Sequence, residues 1–261
     1  DGVFHVAAWY KVGVTEPLAD RVNVDGTRNV LKTMCSLEIP RGVYTSTVAV
    51  FSDTRGAMPD ETYRYDGNHL SEYDRTKWIA HYRVALPKMD DGLPLTIVMP
   101  GLVYGPNDTS GMHSALVDLL RGRLPMTPAR TAFCWGHVED TARGHILAME
   151  KGRPGETYII AGPRQTFEYA FDLAASIAKV RPPIVHPGPR AMRAMAAMMS
   201  AAQHLTTLPP ALTPEALRVL AGTTYLGSNA KAVREIGFTA RPLEEGMAQA
   251  LEHELRLLGR G

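Results

Sequence analysis

The sequence predicts an α/β fold, a doubly wound parallel sheet followed by a smaller, mainly helical C-terminal lobe. Three observations carry the prediction. Short apolar runs rich in β-branched residues recur at Gly2 to Ala8, Gly42 to Val48, Leu95 to Met99 and Thr157 to Ala161, as expected of strands buried on both faces of a sheet. Longer amphipathic stretches separate them, and strands alternating with helices make βαβ units. From Thr166 onward the pattern is helical but broken by prolines at 182, 183, 187, 189, 209 and 210, which suits a separate lobe.

Taken in order, the first strand runs into a helix from Pro17 to Leu37, with Ala19, Val22, Val24, Val30, Leu31 and Met34 on its apolar side. The strand Gly42 to Val48 and a polar loop from Asp60 to Asn68 lead to a helix that begins near Leu70. Asp91-Gly92 marks the turn into the strand Leu95 to Met99, which Pro100-Gly101 closes. A helix from Met112 to Gly122, a loop from Leu124 to Arg130, a strand from Thr131 to His137 and a helix from Asp140 to Lys151 precede the last strand of this series.

Composition narrows the function. The 261 residues are 45% hydrophobic and 21% charged, with formal net charge +1, so no electrostatic feature calls for nucleic acid. The longest apolar stretch, Ala191 to Ala202, is interrupted by Arg193 and is shorter than the roughly 20 residues that cross a bilayer. Two cysteines, Cys35 and Cys134, make no disulfide framework. No signal peptide is visible, and a soluble cytoplasmic protein is expected. Nine histidines occur without an H-E-x-x-H or a tight His/Cys group, so no metal is expected.

The chemistry centres on Tyr73-Asp-Arg-Thr-Lys77. Four residues apart on a helix, the two side chains share a face, and an ammonium beside a phenol favours the phenolate. The strand ahead of them ends in Thr45-Ser46-Thr47, which puts hydroxyls at the carboxyl edge of a parallel sheet, where ligands bind.

Together with Val3-Phe-His5-Val-Ala7-Ala8, Asn23-Val-Asp-Gly26-Thr27-Arg-Asn29-Val-Leu31, Pro100-Gly-Leu-Val103-Tyr-Gly105-Pro106, His137-Val-Glu-Asp140-Thr-Ala142 and Tyr225-Leu-Gly-Ser228-Asn-Ala-Lys231, these pieces resemble, in order and over nearly the whole chain, an extended short-chain dehydrogenase/reductase of the NAD-dependent epimerase/dehydratase family, with dihydroflavonol-reductase-like features. The resemblance implies a Rossmann-type domain that binds NAD or NADP. It implies Tyr73 as general acid/base, Lys77 as the group that lowers its pKa and holds the nicotinamide ribose, and Thr47 as the hydroxyl on the reacting oxygen, with Ser46 the competing candidate. Ala7 and Ala8 would let the cofactor approach the backbone, Thr45 and Ser46 would lie at the cofactor, and Pro100, Gly101, Leu102 and Val103 would run along the nicotinamide. Read without the family, the alanines are core residues and the Pro100 segment is a strand-ending turn. Asn23 reads as a structural side chain that bonds nearby backbone.

Two departures qualify the resemblance. The dehydratase branch follows its catalytic hydroxyl with Asp-Glu, whereas Val48-Ala49 follow Thr47, so dehydration is disfavoured. No G-x-x-G-x-x-G occurs, and the first strand resembles the family's fourth, so the chain is expected to be an N-terminally truncated fragment whose leading strand is an open edge. Residues 1–161 are expected to be the nucleotide-binding part, with 106–135 contributing to a substrate lobe at 162–261. The expected activity is hydride transfer between NAD(P) and a carbonyl or carbinol of a small organic substrate. A nucleotide-sugar 4-epimerase, for which Asn107, Arg121, Arg123 and Arg130 would serve, and an inactive relative are the alternatives. The Met192, Met195, Met198, Met199 stripe reads as core packing or the wall of an apolar pocket. Helices at Thr15 to Leu37 and Leu70 to Leu86, with Trp78 and Tyr82 as an aromatic ridge, predict a homodimer.

Overall fold

The computed structural model describes residues 1–10 and 17–259; Thr15 and Glu16 of the expected first helix lie outside them. Its main sheet is parallel throughout, in the order β1 (Val3–His5), β2 (Gly42–Thr45), β3 (Leu95–Pro100), β6 (Thr157–Ile160). The registers His5↔Tyr44, Thr45↔Val98 and Pro100↔Ile160 bring the four carboxyl ends to one edge.

Alternation along the strands supplies both faces, as the period of two demands. Tyr44, Leu95, Ile97, Met99 and Ile159 face a core shared with Leu31, Met34, Ala80, Val84 and Met89. Val43, Val98, Tyr158 and Ile160 face the other core, with Leu147, Ala148, Ile236 and Phe238. The first face is covered by helix α1 (17–36) and helix α2 (72–90), the second by α4 (Val138–Lys151) and α8 (Ala230–Ile236). Both α1 and α2 widen into a π-type turn, at Asp20–Gly26 and Ala80–Ala85. The second lies just ahead of Pro87, which has no N–H to continue the ladder. Arg75 ties the two helices through an ion pair with Asp20.

A second, mixed sheet was not legible as such in the sequence. In it β5 (Ala132–His137) pairs with β4 (Leu102–Tyr104), β7 (Arg164–Thr166) and β8 (Thr224–Tyr225). The chain reaches it by crossing β5 closely after β3 and after β6. A Cβ on Gly101 would collide with the Cys134 carbonyl, and one on Gly162 with the Trp135 carbonyl. Helices α3 (Gly111–Leu120), α5 (Phe167–Ala178), α6 (Pro189–Ala202), α7 (Pro214–Val219) and α9 (Leu243–Leu257) complete the described chain. Asp140 takes a two-pronged contact from Arg241, which pins α4 to the segment before α9.

Several extents differ from expectation. The first ladder stops at His5 and the second at Thr45, because Thr47 turns to cap the short helix Val48–Phe51 by accepting from the Ala49 N–H. Trp78 and Tyr82 do not stand as a free ridge. Their polar atoms donate to the Tyr65 and Tyr63 carbonyls, and the Arg64 guanidinium lies over both rings. The loop before α2 covers them.

Candidate active site

Ser71 starts α2: its side chain accepts from the Asp74 N–H, the N-cap arrangement that satisfies a free helical donor. Tyr73 therefore stands in the first turn and Lys77 one turn further, both directed at the carboxyl edge of β2.

The three consecutive hydroxyls at that edge have three different partners. Thr45 bonds His145 at 2.8 Å, on the α4 side. Ser46 bonds His81 at 2.8 Å and points into the core beneath α2. Thr47 accepts from the Ala49 N–H at 3.1 Å, and its hydroxyl lies close enough to the Tyr73 phenol to lower the phenol's pKa. Of the two candidates for the hydroxyl beside the tyrosine, Thr47 is the one near it and Ser46 is engaged with His81.

Lys77 is buried, with its Nζ donating to the Thr45 carbonyl at 2.7 Å and to the Tyr44 hydroxyl at 3.3 Å. Burial lowers its pKa to about 7, since an ammonium out of water loses hydration that two neutral acceptors only partly replace. The Tyr73 phenol is pushed above its ordinary value, first by burial and then by the neighbouring Tyr10, with the Thr47 hydroxyl partly offsetting. The expected depression of the phenol by the ammonium is not what this arrangement gives, because Nζ is turned to Thr45 and Tyr44. A phenol so placed keeps its proton.

Sequence reasoning missed the groups that hold this pair. Tyr44, read only as a strand residue, stacks on His5 with ring centroids 5.4 Å apart, while His5 bonds Thr27 at 3.0 Å. Burial first, then the Lys77 charge, lowers His5 to about 4 and His81 to about 3. Asp74, beside the tyrosine, accepts from the Tyr225 hydroxyl at 2.9 Å, and burial raises its carboxyl to about 7. Tyr10 sets its ring edge-on to Tyr73, centroids 4.8 Å apart. No spacing rule joins residues 10, 44, 74 and 225.

Asn23 does what its sequence context suggested, with three bonds. Its Oδ1 accepts from the Trp9 N–H at 2.7 Å, and its Nδ2 donates to the Trp9 carbonyl at 3.1 Å and to the Thr76 hydroxyl at 2.9 Å. The segment after β1 is thereby fastened to the helix that carries Tyr73 and Lys77.

The residues fit the nicotinamide end of a dinucleotide. Ala7 and Ala8 leave the end of β1 exposed without bulk. Two N–H groups of the Lys77 ammonium are taken by Thr45 and Tyr44, and a protonated Lys77 has a third. Trp9 Nε1 is a buried donor without a partner among the described residues. Gly101 is explained by the chain crossing at Cys134, and Pro100 closes β3 in the ladder with Ile160; Leu102 and Val103 are half-buried and pair with Trp135 and Gly136. Among the described residues no group of His, Cys, Asp and Glu could hold a metal ion, and no helix is long and apolar enough to cross a membrane. The methionine stripe packs largely on α7, with Met192 and Ala196 against Leu217 and Ala221.

Comparison with known proteins identifies the family and the fold. The sequence model of the NAD dependent epimerase/dehydratase family matches residues 1–161. The decarboxylating sterol-4-alpha-carboxylate 3-dehydrogenase of Candida albicans is 26% identical over 258 residues, covering 92% of this chain and 73% of the relative. The 4-hydroxy-2-methyl-3-oxo-4-farnesyl-3,4-dihydroquinoline-1-oxide ketoreductase of Stigmatella aurantiaca is 30% identical over 165 residues, covering 61% of this chain and 48% of the relative. Among solved structures, that of gox2253 superposes with a TM-score of 0.84 at 29% identity, covering 99% of this chain and 79% of the other.

Proposed function

The chain belongs to the NAD dependent epimerase/dehydratase family, and from that premise we propose that it transfers hydride between NAD or NADP and a carbonyl or carbinol carbon of a small organic substrate, with Tyr73 as the general acid/base. One observation carries the reading: the Tyr73 phenol, held above its ordinary pKa by burial, lies beside the Thr47 hydroxyl at the edge where the parallel strands end. A phenol that holds its proton is the form that donates to a carbonyl oxygen as it gains electrons.

In this mechanism Ala7, Ala8 and Lys77 would hold the nicotinamide end of NAD or NADP, which would supply or take up the hydride. Thr47 orients the substrate oxygen toward the Tyr73 hydroxyl, and Tyr73 delivers the proton. Lys77, held by Thr45 and Tyr44, would offer its remaining N–H to the ribose hydroxyls. Asn23 keeps Trp9 and Thr76 in register, so that Ala7, Ala8 and Lys77 face the same ligand. The rings of Tyr10 and Tyr225 beside α2, together with a sterol and a farnesylated quinoline in the relatives' names, support an apolar ketone as substrate.

The reading keeps residues 1–161 as the nucleotide-binding part, with 106–135 joining 162–261 in the substrate lobe, and a homodimer in the cytoplasm. With Trp78 and Tyr82 covered by their own loop, the dimer would use the exposed side of α1 instead; a monomer in light scattering at micromolar concentration removes it. The activity is tested by incubating the protein with 4-deuterated NADH or NADPH and a panel of apolar ketones. Deuterium at the carbinol carbon of the product is the expected result. Interconversion of a nucleotide sugar with no label gained would favour a 4-epimerase, and failure to bind either nucleotide would overturn the proposal.

A further inference from the structure

Helix α6 (Pro189–Ala202) is apolar on the side that packs and apolar on the side that does not. Met192 and Ala196 are buried against Leu217 and Ala221 of the α7 region, with Met195 and Met199 beside them. On the opposite side Ala191, Ala194, Met198, Ala201 and, just past the helix, Leu205 are exposed, and their spacing of three and four residues lines them along one stripe. Met198 is 60% and Leu205 90% exposed, and Ile184, ahead of the helix, is 88% exposed. A helix with apolar residues all round is ordinarily enclosed, so the free stripe calls for a covering surface.

The charge around the stripe says which kind. Between Asp172 and Glu215 the sequence holds no Asp or Glu, while it holds Lys179, Arg181, Arg190 and Arg193. All four cations are exposed, and none is ion-paired among the described residues. Glu168 lies 3.9 Å from His186, outside the helix, and the carboxylate on the packed side is the buried Glu215 of α7. The chain as a whole is close to neutral, at +1, so a stretch with four cations and no carboxylate is a local excess of positive charge. Arg190 and Arg193 sit at the start of α6, on the border of the stripe, from where their stems can lie along an apolar surface while the guanidinium groups reach anionic headgroups. Apolar residues on one face with cations at its edge are the features of a helix that lies in a lipid interface.

We infer that the 179–205 segment docks on an anionic phospholipid surface, with α6 lying along the membrane plane and not through it. The contact is independent of the catalytic reading, since none of these residues belongs to the Tyr73 site.

The test is flotation of the 261-residue protein with vesicles of phosphatidylcholine containing phosphatidylglycerol, against vesicles of phosphatidylcholine alone, at low and high salt. The expected result is flotation with the anionic vesicles only, and its loss at high salt. The exposed-site variant Arg190→Ala/Arg193→Ala lowers the partition coefficient on the order of thirtyfold, about fivefold per cation, and Met198→Ser/Leu205→Ser abolishes flotation, with thermal unfolding of both variants unchanged. Absence of flotation at low salt overturns the inference, as does wild-type flotation by the arginine variant. A dimer in light scattering that Met198→Ser/Leu205→Ser dissociates would assign the stripe to a second copy of the chain and overturn it equally.

Discussion

Replacing Asn23 by Ala should destabilise the protein by about 3–5 kcal/mol, and the geometry says where the loss arises. The side chain is 1% exposed and makes three buried hydrogen bonds. Thr76 loses little, because its hydroxyl still donates to the Glu72 carbonyl at 2.9 Å. The Trp9 N–H loses its partner at a buried residue, at a cost of about 1–3 kcal/mol for an unsatisfied donor, and the Trp9 carbonyl loses a bond of about 1 kcal/mol. The small void left by the amide adds on the order of 1 kcal/mol. Against a total stability of about 5–15 kcal/mol this is a large fraction. Urea unfolding reads it as a lower midpoint at unchanged slope. A loss below about 1 kcal/mol would refute the view that Asn23 fastens the segment after β1 to α2.

Other outcomes follow from the same site. Asp74, raised to about 7, keeps a proton in the folded protein that the unfolded chain releases between about pH 4 and 7, so it lowers stability as pH rises through that window. Asp74→Asn should gain on wild type by up to about 1.4 kcal/mol per pH unit there, and parallel urea curves at pH 5 and 7 would contradict it. His5 and His81, lowered to about 4 and about 3, act in the opposite sense: below about pH 6.5 the unfolded chain takes protons that the folded protein refuses. Replacing His81 by Gln should flatten the acid limb of the stability curve. Gly101→Ala should cost about 2–3 kcal/mol without any nucleotide present, because its methyl meets the Cys134 carbonyl; unchanged stability with weakened nucleotide binding would instead make this glycine a cofactor contact. Lys77→Ala should weaken NAD(H) or NADP(H) at least about tenfold in a calorimetric titration, the loss of one charge-assisted hydrogen bond, and unchanged affinity removes the ribose contact.

The sheet was readable because its strands are buried on both faces and so form runs such as Leu95-Thr-Ile-Val-Met99, bounded by Gly92 and Pro100. Strands β4, β7 and β8 have two or three residues each, too few for a period, and exist because β5 offers them an edge. Tyr73 and Lys77 were readable from helical spacing, and Thr47 from its place after a strand. The surroundings that set their proton affinities were not. Asp74 lies on α2 itself, but Tyr10, Tyr44 and Tyr225 come from three separate parts of the chain, and only the fold brings them to α2. Trp78 and Tyr82 were correctly placed on one helix face, but their partners, Tyr63 to Tyr65, lie in a loop whose path the sequence does not specify.

The role proposed for Tyr73, supplying the proton in a hydride transfer, is tested most directly by a paired measurement on wild type and Tyr73→Phe with a ketone that accepts label. Deuteride transfer from the reduced nicotinamide should fall about 10²- to 10⁴-fold, while affinity for the nucleotide stays within a few-fold, because the phenylalanine removes one hydroxyl and little contact area. A variant that retains more than half the wild-type rate would contradict it.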